Sequence, residues 1–170
     1  MSKIRKQDDK PAALDHALYE MLMLVQAVVV LTRGNLHPNE RSGWVEVFAI
    51  HARNLNEFFS DAKLGRSYMK VHHFVPEWKY SYDFDGGLAG RASSQVAHLT
   101  YNRERPEEKT GWPVETIFKA LRSQSLLFLD AIKGNDALMP YRDNRGRVTN
   151  LLCQRSLKTS QVRSLQNQPF

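Results

Sequence analysis

The 170-residue chain has a single cysteine, Cys153, so no disulfide can form within it. One thiol also cannot supply the paired Cys-x-x-Cys ligands of a structural zinc site. No Glu-x-x-His pair is present, which excludes the ligand pattern of helical di-iron carboxylate proteins, and no His-x-x-x-His pair is present either. No glycine-rich loop precedes a helix in the way phosphate cradles require. "DFDGG" (83–87) resembles the opening of a calcium loop but lacks the later acidic ligands. No cofactor is therefore expected, and no metal site. His16 and Glu20, four positions apart, are the nearest approach to a ligand pair and read as an edge polar pair. Cys153 has no basic neighbour closer than Arg155, which argues against a nucleophilic thiol.

Long hydrophobic runs are scarce as well. The longest, "MLMLVQAVVVLT" (21–32), contains Gln26 and falls short of the roughly 20 apolar residues of a membrane span. A buried helix is expected there, with no membrane association. The polar start, MSKIRKQDDK, lacks the apolar stretch of a signal peptide. With little cysteine, this suits a reducing compartment, and a cytoplasmic location is expected.

An excess of either charge is missing from most of the chain. Residues 1–140 hold 18 Lys+Arg against 17 Asp+Glu, whereas residues 141–170 hold six basic residues against Asp143 alone. The net charge of +6 thus belongs to a C-terminal tail carrying Arg142, Arg145 and Arg147. Such a tail attracts RNA or an acidic partner without sequence preference, or simply aids solubility. The expected division is a helical bundle over 1–140 and a basic tail over 141–170, flexible or docked on a partner.

What is present is helical periodicity. Leu14, Leu18, Met21, Leu22, Val25, Val28 and Val29 predict a helix from about Pro11 to Arg33, with Gly34 as a left-handed cap. Trp44, Val47, Phe48, His51, Leu55 and Phe58 predict a second, with His51 inside the apolar stripe and Arg53 opposite. Residues 61–86 read as an ordered loop pinned by Phe74, Trp78, Tyr80 and Phe84. A third helix is expected over about 88–103 and a fourth over about 113–132, ended by Gly134; "YRDNRGRVTN" (141–150) reads as linker. The fold class expected is all-α, an antiparallel four-helix bundle with a flexible basic C-terminal tail.

Within the third helix, Arg91 and His98 are seven positions apart, about 20° apart around the axis, so they share one face. Arginine is a permanent forked phosphate binder, and histidine transfers protons near neutral pH. The pair resembles the Arg-x4–6-His signature of the HEPN superfamily of small helical bundles. That resemblance implies a metal-independent endoribonuclease of a bacterial toxin or phage-defence kind, with a homodimer interface as its cleft. It implies that His98 assists proton transfer for a ribose 2′-hydroxyl and that Arg91 stabilises phosphate charge, with Asn102 as a helper. His51 and Arg53 are secondary binding candidates.

"HARNLNEFF" (51–59) followed by "HLTYNR" (98–103) is also similar to a group of small, uncharacterised bacterial helical proteins, which implies a helical fold over most of 14–132 and no particular activity. Beside the RNA reading stands another. His51 and His98 are structural, joined to Asn54, Thr100 or Tyr101 in a polar network, and the chain is a non-catalytic, antitoxin-like interaction bundle. A small-ligand pocket is the third alternative.

Overall fold

A computed structural model describes residues 10–60, 69–79, 112–135 and 142–153. Among them the chain is all-α: α1 (Lys10–Leu31), α2 (Pro38–Phe59), a 3-10 turn (Val71–His73), α3 (Val114–Ala131) and α4 (Arg142–Cys153). No strand occurs among the described residues. The helix expected over 88–103 lies outside them, as do Tyr80 and Phe84.

Helix α1 is apolar around most of its circumference. Leu14, Leu18, Met21, Leu24, Val28 and Leu31 are all at most 2% exposed. The 19 residues Ala13–Leu31 are, by length and composition alone, apolar enough to cross a membrane, which corrects the shorter window read from the sequence. In the fold these side chains pack chiefly against α2, with α4 and α3 covering the remainder.

Gly34 does not take the left-handed conformation expected of it. α1 closes instead through a tightened last turn. Arg33 N–H donates to Val30 O at 2.9 Å and Thr32 Oγ1 donates to Val29 O at 2.8 Å, so the orphan carbonyls are met without a positive φ.

The six residues 32–37 separate α1 from α2. They can span roughly 20 Å, whereas each 22-residue helix is about 33 Å long. Contact between Glu20 and His51, each well inside its helix, therefore requires α2 to fold back along α1 as a hairpin. Helix α2 begins at Pro38, whose missing N–H costs nothing at that position, and His37 Nδ1 accepts from Asn39 N–H at 3.3 Å. At the far end Lys70 caps it. The Lys70 Nζ donates to Glu57 O (2.7 Å), Ser60 O (2.9 Å) and Ser60 Oγ (3.1 Å), which places a cation on the negative end of the helix.

The buried stripe of α2 is Val45, Phe48, Ala49, Ala52, Leu55, Phe58 and Phe59. It is rotated from the stripe read in the sequence, since small Ala49 and Ala52 are fully buried. Trp44, Val47 and His51 are moved to its half-buried edge.

The second aromatic signal holds the other half together. Phe128 of α3 meets Phe58 edge-on (centroids 5.3 Å apart), Phe74 (5.9 Å) and Phe59 (6.1 Å), while Trp78 stacks on Phe59 at 5.7 Å. Such offset and edge-on pairs each add to the burial they accompany. The loop segment around Phe74 and Trp78 is thus pinned as its aromatic content suggested.

Residues 142–150, read as linker, are helical. Along this short helix Val148 and Leu152 recur four apart and are buried, and the α3 residues Leu126, Leu129 and Asp130 line a shallow groove with Gly146, Thr149 and Asn150. Arg122 of α3 donates from Nε to Leu152 O at 2.6 Å, meeting a carbonyl in the last turn of α4. Two apolar side chains in a polar, arginine-rich run are a faint periodic signal. Tertiary packing and the Arg122 bond supply the rest.

Two neighbours on α3 test the aromatic node. Phe128→Ala is expected to cost about 3–5 kcal/mol of unfolding free energy. Leu127→Ala, at a side chain 56% exposed, should change it by less than about 0.5 kcal/mol. Urea denaturation followed by circular dichroism measures both.

Candidate functional site

The polar centre of the described structure lies on the α1–α2 seam. Glu20 is the one acid within the apolar run of α1 after Asp15, and hairpin formation brings it opposite the middle of α2. Its Oε2 is 2.6 Å from His51 Nδ1 and accepts from Asn54 Nδ2 at 3.1 Å. His51 and Asn54 are three apart on α2, hence neighbours on one face, so one carboxylate oxygen reaches both. Tyr19 closes the outer side, its ring edge-on to the imidazole with centroids 5.9 Å apart.

This geometry fixes the chemistry of the ring. An ionised carboxylate can only accept, so Nδ1 carries the hydrogen and donates it to Glu20 Oε2. The bond is short and charge-assisted, of the stronger class in proteins. The His51 side chain is 12% exposed and that of Glu20 22%, so water competes weakly for it. A carboxylate holding Nδ1 is the arrangement that orients histidine in catalysis and behind metals. What it orients here is a ring wedged between two helices and covered by a tyrosine. Among the described residues no group of three or more His, Cys, Asp or Glu side chains could hold a metal ion.

The other sequence candidates are dispersed. His16 is exposed, one turn from Glu20, and Glu20 turns to α2 rather than to it. Arg53 does not join His51. Its Nε donates to Glu57 Oε1 at 2.8 Å, an i,i+4 pair along α2. Arg142, Arg145 and Arg147 fall on α4, and Arg147 is exposed. Arg91, His98 and Asn102 lie outside the described residues, as do Thr100 and Tyr101. Of the network expected around His51, Asn54 is present, and the acid at its centre is Glu20.

Glu20 was legible from hairpin arithmetic. If one helix ends near 31 and the next starts near 38, residues whose numbers add to about 70 sit side by side, and 20 with 51 satisfies this. Reading His16 and Glu20 along one helix missed the partner across the turn.

The pair can be isolated by a double-mutant cycle. Glu20→Ala and His51→Ala are each expected to lower stability by about 1–3 kcal/mol, since each leaves the other polar group poorly satisfied. The double variant should lose less than their sum, with a coupling of roughly 0.5–3 kcal/mol. Chemical denaturation of the four proteins gives the coupling, and strict additivity would remove the interaction. Against known proteins, the chain matches no family model, no curated protein and no solved structure.

Proposed function

We propose that this chain is a non-catalytic helical interaction protein, antitoxin-like in character, whose His51 is structural and whose basic C-terminal segment engages RNA or an acidic partner. The observation that carries the reading is the engagement of His51. Its Nδ1 is held by Glu20, the same oxygen holds Asn54, and the ring is nearly covered. A histidine arranged in this way joins two helices. It is not displayed to a substrate.

The binding half of the proposal rests on charge. Helix α4 contains Arg142, Arg145 and Arg147 against Asp143, and the sequence beyond it adds Arg155, Lys158 and Arg163 with no acid. Arg147 is exposed on the docked helix. A polyanion is attracted by such a cluster through counterion release, without need of base-specific recognition. The working form under this reading is cytoplasmic, in keeping with the single exposed thiol.

RNA cleavage by a HEPN-like homodimer is the second reading, and its carriers are Arg91 and His98, whose seven-residue spacing suits one face of a helix, with Asn102. One experiment separates the two. Labelled single-stranded RNA is incubated with the wild-type chain, with His98→Ala and with the triple variant Arg142→Glu/Arg145→Glu/Arg147→Glu, in EDTA and across a salt series. The interaction reading expects intact RNA throughout. It also expects binding that weakens with salt in wild type and His98→Ala. In the triple variant the salt slope should be shallower by about 0.7 for every phosphate no longer neutralised. Cleavage by wild type that disappears in His98→Ala, leaving cyclic phosphate ends, would replace it with the nuclease reading. Binding unchanged in the triple variant would contradict the role of α4.

A further inference from the structure

Helix α3 buries one face in the core and turns another to solvent. Thr116, Ser123 and Leu127, all exposed, fall within about 40° of one line along the helix. Leu127 is 56% exposed, a large apolar side chain on that line, with small Ser123 one turn before it. Lys119 and Asp130 lie along one edge of the line, and Ala120 and Ala131 along the other.

The two charges are about three turns apart and set against their own helix. Asp130 stands in the last turn, beside the negative end of the helix dipole, and that turn holds no basic residue. It enters none of the ion pairs formed among the described residues. Lys119 stands in the first half of α3 with its side chain 61% exposed. Its Nζ lies 2.6 Å from Glu115 Oε1, and an ammonium group has further N–H donors to offer.

A face of this kind is complementary to itself. When a second α3 lies antiparallel on the first, about a two-fold axis near Ser125, residues whose numbers add to about 250 lie opposite each other, and each edge meets its own copy. Leu127 then covers the partner's Ser123, Lys119 faces the partner's Asp130, and Ala120 approaches the partner's Ala131. The exposed Ile50 of α2 is less well provided, because its neighbour Arg53 is already engaged by Glu57.

We propose that two copies of this chain pair through α3, antiparallel, with Leu127 of each copy seated on the partner's Ser123 and two Lys119–Asp130 ion pairs fixing the register. A single pair of 18-residue helices makes a small interface, below about 1,200 Å², so the dimer is weak and reversible. The pairing rests on neither reading of the function, since it uses none of the residues that carry them.

Sedimentation of the full-length protein across a concentration series from micromolar to millimolar, at low and high salt, tests it. The wild type is expected to move from monomer toward dimer as concentration rises, and less readily at high salt. Leu127→Asp and Asp130→Lys should each weaken association by about ten-fold or more, because each change occurs twice in a two-fold pair. Both side chains are exposed, so circular dichroism should stay unchanged. Lys119→Glu should weaken association likewise. Mixing Lys119→Glu with Asp130→Lys should restore it, because each then presents the charge that the other lacks. A wild type that stays monomeric throughout, a dimer indifferent to Leu127→Asp, a dimer broken by Ile50→Asp instead, or a mixture of the two charge variants that stays apart would each overturn the proposal.

Discussion

Glu20 lies in the middle of the most apolar helix of the chain, where an acid without partners would be costly, and the rest of the structure depends on how that carboxylate is met. It is accommodated because the hairpin places His51 and Asn54 of α2 within reach of a single oxygen. Sliding or rotating α2 against α1 would break this polar junction. Hydrophobic burial therefore supplies the adhesion and Glu20 supplies the register. Once the hairpin is set, the C-terminal end of α2 presents Phe58 and Phe59 to Phe128 of α3, and α1 presents the surface on which α4 rests.

The same junction governs how the histidine is read. A carboxylate–imidazole pair is the beginning of many catalytic sites, and in sequence His51 invites that reading. Its setting is what supports the structural reading proposed above. The ring is packed edge-on by Tyr19 and nearly covered, and Arg53, two residues on, is drawn away to Glu57. Chemistry that needs an open imidazole next to a free cation is not assembled there. The positive charge of the sequence accumulates elsewhere, on α4 and beyond.

Most of the helical architecture is legible in the sequence because apolar periodicity is a direct consequence of burying one face. The bounds of α1, α2 and α3 follow from it to within a few residues, and the aromatic content of 69–79 marks a segment that packs although it lacks a long helix. The misplaced features share a cause. His51 falls in the apparent core stripe because large apolar residues define a stripe more visibly than small ones, whereas the fully buried Ala49 and Ala52 belong to the true one. Gly34 suggests a left-handed cap, although a tightened hydrogen-bonded turn ends that helix. Helix α4 is nearly silent in sequence because its stability comes from α1, α3 and Arg122 rather than from its own residues. The pairing of Glu20 with His51 joins two helices, and only the matching of their numbers about the turn makes it visible in one dimension.

The claim that Glu20 holds His51 as a structural link is tested most directly by the state of the imidazole in solution. Long-range nitrogen–proton correlation spectra of the 15N-labelled protein near neutral pH report which ring nitrogen carries the hydrogen. The account predicts that His51 is protonated at Nδ1, with that proton protected from solvent exchange, and that the protection disappears in Glu20→Gln while the fold persists. An imidazole protonated at Nε2 alone, or one whose Nδ1 proton exchanges freely in the folded wild-type protein, would contradict it.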